Sequence, residues 1–245
     1  MSRRAKESEV VAVLIVVLVL LGLLIVGIYW RNARHAAARR AIDLGLVSAA
    51  AEDDIKEFAH ELAELRDAPA IGMLSAGTQR EYDSARESLD AAATLLAKAS
   101  GPAEIRRVTE CLERGRYSVM CVRARLSGKQ LPARRPPCFF NPQHGPSAGD
   151  VDWAPPGSQP RPLPACADDA LHVAVGAPPD IRTVLVGTGT LSVEYWRAGS
   201  AFAGYVTGYF GAYAAGGALP GLLTAVMDGA NGDPSVSPGT ARGNG

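Results

Sequence analysis

Val10–Trp30 reads VVAVLIVVLVLLGLLIVGIYW, a run with no charged residue. As a helix rising about 1.5 Å per residue it would measure about 31 Å, one bilayer hydrocarbon core. Tyr29 and Trp30 close the run and Arg31 follows at once, the aromatic-then-basic edge expected where a helix leaves lipid. A buried helix seldom runs this far without a polar residue. A cleaved signal peptide would have a shorter apolar core, and Ala36-Ala37-Ala38 as its cleavage site would leave Arg31 and Arg34 on the wrong side. The run is therefore expected to be a transmembrane helix over residues 10–30. It would follow a short tail (1–9) and place the protein in the cell membrane as a single-pass chain. Arg3, Arg4 and Lys6 before it balance Arg31, Arg34, Arg39 and Arg40 after it, so the side on which the C-terminal part lies stays open.

Outward from this run the chain reads as α+β. Residues 31–45 continue as a basic helical stalk, whose arginines suit anionic headgroups. A helical bundle is expected over 46–127. Ile55, Phe58, Leu62 and Leu65 line one face of its first helix, and Glu52 and Lys56 form an i,i+4 pair. Thr78 and Glu81 read as a capping box for the second, whose seam is Tyr82, Ala85, Leu89, Ala92, Leu96 and Ala99. Ser100-Gly101-Pro102 stops that helix and starts a third, lined by Ile105, Val108, Leu112, Val119, Val122 and Leu126 with Gly115 on the same seam. Three such helices with short links predict an antiparallel three-helix bundle. Residues 128–137, SGKQLPARRPP from Ser127, read as a proline- and arginine-rich linker.

The chain has 245 residues and a formal net charge of zero, which sets aside a nucleic-acid binder working by phosphate neutralisation. The expected partners are the lipid bilayer and an unidentified protein. Four cysteines remain to be placed. Cys111 and Cys121 sit on the third helix about 15 Å apart along its axis, too far to pair with one another.

Cys138 opens a small β module over 138–197. The run C-F-F-N-P-Q-H-G-P-S (Cys138–Ser147) is followed by a hairpin, Val151–Ala154 with Arg161–Pro164, and then by Cys166 at the start of a short helix. A knuckle, a hairpin and a cysteine at a helix start resemble a degenerate treble-clef zinc module. That fold usually carries C-x-x-C twice, and the partner positions here are Asn141 and Asp169. Three readings stand side by side. Cys138 and Cys166 form a disulfide; or Cys138, His144, Cys166 and His172 hold zinc, since thiolate and imidazole suit a tetrahedral site; or the thiols are simply buried. No other cofactor is expected.

Two motifs lack their context. Gly145-Pro146-Ser147-Ala148-Gly149 matches a nucleophile elbow, with Asp168 and His172 after it, but no core strand precedes Ser147. Gly187-Thr188-Gly189 lacks the third glycine of a dinucleotide fingerprint and lies between two strand-like runs, which predicts a hairpin.

The runs Cys138–Ser147, W-A-P-P-G (Trp153–Gly157), P-A-C-A-D-D-A (Pro164–Ala170), Y-W-x-A-G from Tyr195 and G-Y-F-G from Gly208 resemble actinobacterial single-pass membrane-anchored proteins of unassigned function. The resemblance spans about Tyr117 to Gly211. It implies an envelope protein and no catalytic residue.

Residues 198–227 form a Gly/aromatic apolar segment in which Gly204-x-x-x-Gly208 and Gly217-x-x-x-Gly221 match a close-packing motif. Packing against the hairpin, lying at the membrane surface and spanning it are the alternatives. Residues 228–245 are expected to be a disordered tail. The functional expectation is a non-enzymatic interaction or scaffold protein, with a zinc-binding module, binding or catalytic, as the alternative.

Overall fold

The computed structural model describes residues 2–67, 75–155 and 159–216, with side chains for 20–67, 75–155 and 159–214. The chain divides into two compact units, residues 1–42 and 43–245.

Helix α1 runs Ser2–Asp67. Gly45 does not end it, because one glycine costs only about 1 kcal/mol relative to alanine in a run of strong helix formers. The expected transmembrane helix is corrected. Among the described residues no helix is long and apolar enough to cross a membrane. Within the apolar run the side chains of residues 20–30 are described, and they are exposed. Those of residues 1–19 lie outside the described residues. The single-pass membrane assignment and the cell-membrane localisation are corrected with it.

The α+β class stands on the second unit. Helices α2 (Ala76–Leu96) and α3 (Pro102–Leu126) are separated by the turn around Gly101, with Pro102 in the first turn of α3. Arg125 faces Glu81 and Ser118 faces Ser84, so the two run antiparallel. The cap of α2 lies one turn earlier than the sequence predicts: Ser75 Oγ accepts from Thr78 N–H at 3.2 Å. The C-terminal part of α1 joins them through Val47, Phe58, Leu62 and Leu65, which share one buried cluster with Ile105, Val108, Leu112, Val119 and Val122. Gly115 does not kink α3; a Cβ there would meet the Phe58 ring, so the glycine is the seat of that ring.

The β module consists of two separate hairpins. β1 (Gly149–Trp153) pairs antiparallel with β2 (Arg161–Ala165), Val151 opposite Leu163. β3 (Thr183–Val186) pairs with β4 (Leu191–Glu194) around Gly187 and Gly189, both at positive φ. Between the hairpins lies α4 (Ala167–Ala174). The apolar segment supplies α5 (Ala203–Phe210), packed on α3 rather than on the hairpin. A Cβ on Gly204 would meet the Pro102 carbonyl, and one on Gly208 the Arg106 carbonyl and Thr109 Oγ1. The first small-xxx-small pair thus serves a close helix crossing. Residues 217–227, with the second such pair, and the expected disordered tail at 228–245 lie outside the described residues.

One buried polar network ties these elements. Asp54 of α1 is fully buried and accepts from Tyr205 Oη (2.5 Å), Tyr209 Oη (2.8 Å), Gln143 Nε2 (2.6 Å) and Arg182 Nη2 (3.0 Å). Arg116 of α3 donates to Glu61, Tyr209 and the Asp54 carbonyl. Beside it Phe139, Phe140, Trp153, Tyr195 and Trp196 pack ring against ring, Phe139 stacked on Trp196 at 4.5 Å.

Candidate metal centre

The knuckle is a closed loop. Cys138 N–H bonds to the Gly145 carbonyl at 2.9 Å, and Pro137 bridges Pro146. Asn141 caps the 3-10 turn Pro142–His144 by accepting from Gln143 N–H, and Gly145 turns the chain back at φ 75°. Phe139 N–H reaches the Pro164 carbonyl and Ala148 N–H the Ala165 carbonyl. These bonds lay the knuckle against β2, whose end delivers Cys166 as the N-cap of α4.

Four side chains converge there. One ligand atom each from Cys138, His144, Cys166 and Asp169 falls within 4.8 Å of the others. Asp169 Oδ2 is the shared vertex, 2.9 Å from His144 Nδ1, 3.1 Å from Cys138 Sγ and 3.3 Å from Cys166 Sγ; Cys166 Sγ lies 3.4 Å from His144 Nδ1. A tetrahedral zinc, with Zn–S near 2.3 Å and Zn–N or Zn–O near 2.1 Å, has ligand–ligand edges of about 3.3–3.8 Å. The cluster is on that scale. Cys138 and Asp169 are almost wholly buried, and Cys166 and His144 are half-buried.

Outer contacts fix the ligands. Asp180 N–H donates to Asp169 Oδ1 at 2.8 Å, leaving Oδ2 for the cluster. The Asp180 carboxylate lies 3.1 Å from His144 Nε2, which leaves Nδ1 pointing inward. A carboxylate on the far nitrogen is the usual orienting partner of a metal-bound imidazole.

The charges are set by the same contacts. A hydrogen bond from Cys138 and the neighbouring His144 pull the Cys166 thiol down to about 5 against its burial. Cys138, sharing its proton with Cys166 and fully buried, is pushed far up. Burial would lower His144, but Cys166 and Asp169 outweigh it and raise it to about 9. Burial would raise Asp169, yet the Asp180 N–H and the two cysteines hold it below the usual carboxylate range. Two acceptors of metal, thiolate and carboxylate, are thus ready at neutral pH, and a bound cation would displace the protons of the other two groups.

The chain matches no protein-family model, no curated protein and no solved structure. The site therefore stands on its own geometry.

Of the four zinc candidates read from the sequence, Cys138, His144 and Cys166 come together. His172 does not: it is half exposed, and its Nδ1 stops 4.0 Å from Asp169 Oδ1. The reason is helical phase. Asp169 follows Cys166 by three residues and returns to the same face of α4, whereas six residues carry His172 to another face. Asp169 occupies the second position of the clef's helix-start pair, so the signal was C-x-x-D. Cys138 and Cys166 are unbonded, as are Cys111 and Cys121. Ser147 is buried, and its Oγ accepts from Arg135 Nε, consistent with a structural loop serine. A cleft of about 420 Å³ opens between Arg106, Glu110, Arg114, Arg134 and α5, and no cluster residue lines it.

Proposed function

We propose that residues 138–197 form a structural zinc module, with the metal held by Cys138 Sγ, His144 Nδ1, Cys166 Sγ and Asp169 Oδ2. The observation that carries this reading is the convergence of those four atoms within 4.8 Å from two separate segments, the knuckle and the start of α4. Mixed thiolate, imidazole and carboxylate ligands suit zinc better than a hard cation, which prefers oxygen alone. Four protein ligands complete a tetrahedron and leave no open position for substrate. The role that fits is therefore a cross-link in a binding or scaffold module rather than a catalytic metal. Zinc would supply a staple that the short strands β1 and β2, the second carrying Pro162 and Pro164, lack on their own.

Metal analysis of the purified chain tests this. Zinc near one per chain is expected, with most of it lost in Cys138→Ser and in Asp169→Ala and retained in His172→Ala. Cobalt substitution should give the visible absorption of a tetrahedral thiolate site. A chain that carries a Cys138–Cys166 disulfide and takes up no zinc after reduction would replace the metal by the disulfide as the staple.

A further inference from the structure

Resting on that zinc reading, we propose that the centre is a redox-releasable staple: a peroxide converts its two thiolates into a Cys138–Cys166 disulfide and the zinc leaves. The two sulfurs belong to one cluster, within 4.8 Å of each other and unbonded. A bond of about 2.05 Å requires the two sulfurs to close from that separation. The backbone hydrogen bonds from Phe139 to Pro164 and from Ala148 to Ala165 already hold the two segments side by side.

Access is unequal. Cys166, at the helix start, is half-buried, whereas Cys138 is wholly buried beneath it. An oxidant meets Cys166 first, and Cys138 is placed to resolve it from within. The remaining cysteines do not compete. Cys111 and Cys121 are buried on α3 and held about 15 Å apart along that helix.

The chemistry balances. The Cys166 thiolate attacks one peroxide oxygen, the O–O bond breaks, and a sulfenic acid forms as hydroxide departs and takes a solvent proton. The Cys138 thiolate then attacks the Cys166 sulfur, the S–O bond breaks, and a second hydroxide leaves and is protonated. The two thiolates have given two electrons, peroxide has become two waters, and zinc keeps its oxidation state throughout. His144 and Asp169 are then the only ligands left, too few for a tetrahedral site. The module exchanges one cross-link for another across the same two segments, so release of the metal leaves the loop closed.

The test uses the full-length, reduced, zinc-loaded chain, treated with hydrogen peroxide in the presence of a chromogenic zinc chelator. One zinc should be released for each Cys138–Cys166 link found in a non-reduced digest, and a dithiol reductant with added zinc should restore the loaded form. Cys111→Ser should release zinc as the parent does, and its failure to do so would assign the wrong thiol. Zinc that stays bound through peroxide, or that leaves with Cys166 over-oxidised and unlinked, would overturn this inference alone. A reduced chain that takes up no zinc at all would overturn the metal reading and this one with it.

Discussion

Cys166 carries three tasks in one side chain. Its Sγ caps α4 by accepting from Asp169 N–H, faces His144, and shares Asp169 Oδ2 with Cys138. Since its thiol is drawn down to about 5, the metal-free reduced protein is expected to carry a thiolate there at neutral pH. Alkylation of Cys166 by iodoacetamide should therefore be nearly constant from pH 8 to pH 6 and fall about tenfold per unit below pH 5. An ordinary thiol would already be losing rate below about pH 8.5. A rate that climbs through pH 8–9, read by mass spectrometry of the labelled peptide, would show that Cys166 behaves as an ordinary thiol and is not the ionised partner. The two cysteines were legible because C-x5-H and a cysteine at a helix start are spacing signals. Asp169 was visible only as a departure from C-x-x-C, since a carboxylate in a first helical turn is ordinarily explained by the helix dipole. Asp180, eleven residues on in a loop, has no periodicity to announce it; only the fold brings it to both His144 and Asp169.

The elements divide between those with a local cause and those without. α2, α3 and both hairpins follow from periodicity, Pro102 and the turn glycines, and lie close to where the sequence puts them. The seam of α2 is right in phase but only half covered: Ala85 and Ala92 are buried while Tyr82 and Leu89 stay partly exposed, so truncating Leu89 should cost less than a full core deletion. α5 had no such cause. Eight residues of glycine and aromatics carry no helical stripe, and the helix is fixed by its crossing with α3. Gly208→Ala should make that dependence measurable. The added methyl meets the Arg106 carbonyl, which belongs to the helix backbone and cannot rotate away, so a loss of about 1–3 kcal/mol or more is expected in denaturant unfolding. Gly149→Ala, with open space around it, should change stability by no more than about 0.5 kcal/mol. Equal effects would mean that the crossing is not close.

At the scale of residues 43–245, the helices and the β module share one buried acid. Asp54 receives hydroxyls from α5, an amide from the knuckle and a guanidinium from the segment before β3. Removing one partner of a buried ionic cluster leaves the others uncompensated, at about 3–5 kcal/mol. Asp54→Ala should lose about that much in chemical denaturation, whereas its exposed neighbour Asp53→Ala should stay within about 0.5 kcal/mol. A similar small change for both would remove the network as the tie between bundle and module. None of this was readable from the chain: Asp54 sits among Glu52, Asp53 and Lys56 as one more charge on a polar helix face, and its partners lie as much as 155 residues away. The long apolar run before it misled in the opposite direction. Hydropathy speaks loudly over a short window, but it marks only surface that lacks a partner, and it says nothing about which buried polar groups hold a fold together.

The ring cluster beside the knuckle gives the molecule an optical property. Phe139, the residue after the first cysteine of the cluster, stacks on Trp196 and leans on Trp153 at 6.5 Å. The third tryptophan, Trp30, lies exposed on α1. The two indoles of the module therefore touch the ring of the residue that follows the Cys138 sulfur, while Trp30 emits from a solvent-facing position. The intrinsic fluorescence of the unlabelled chain should therefore respond to what binds or links Cys138, with no label attached.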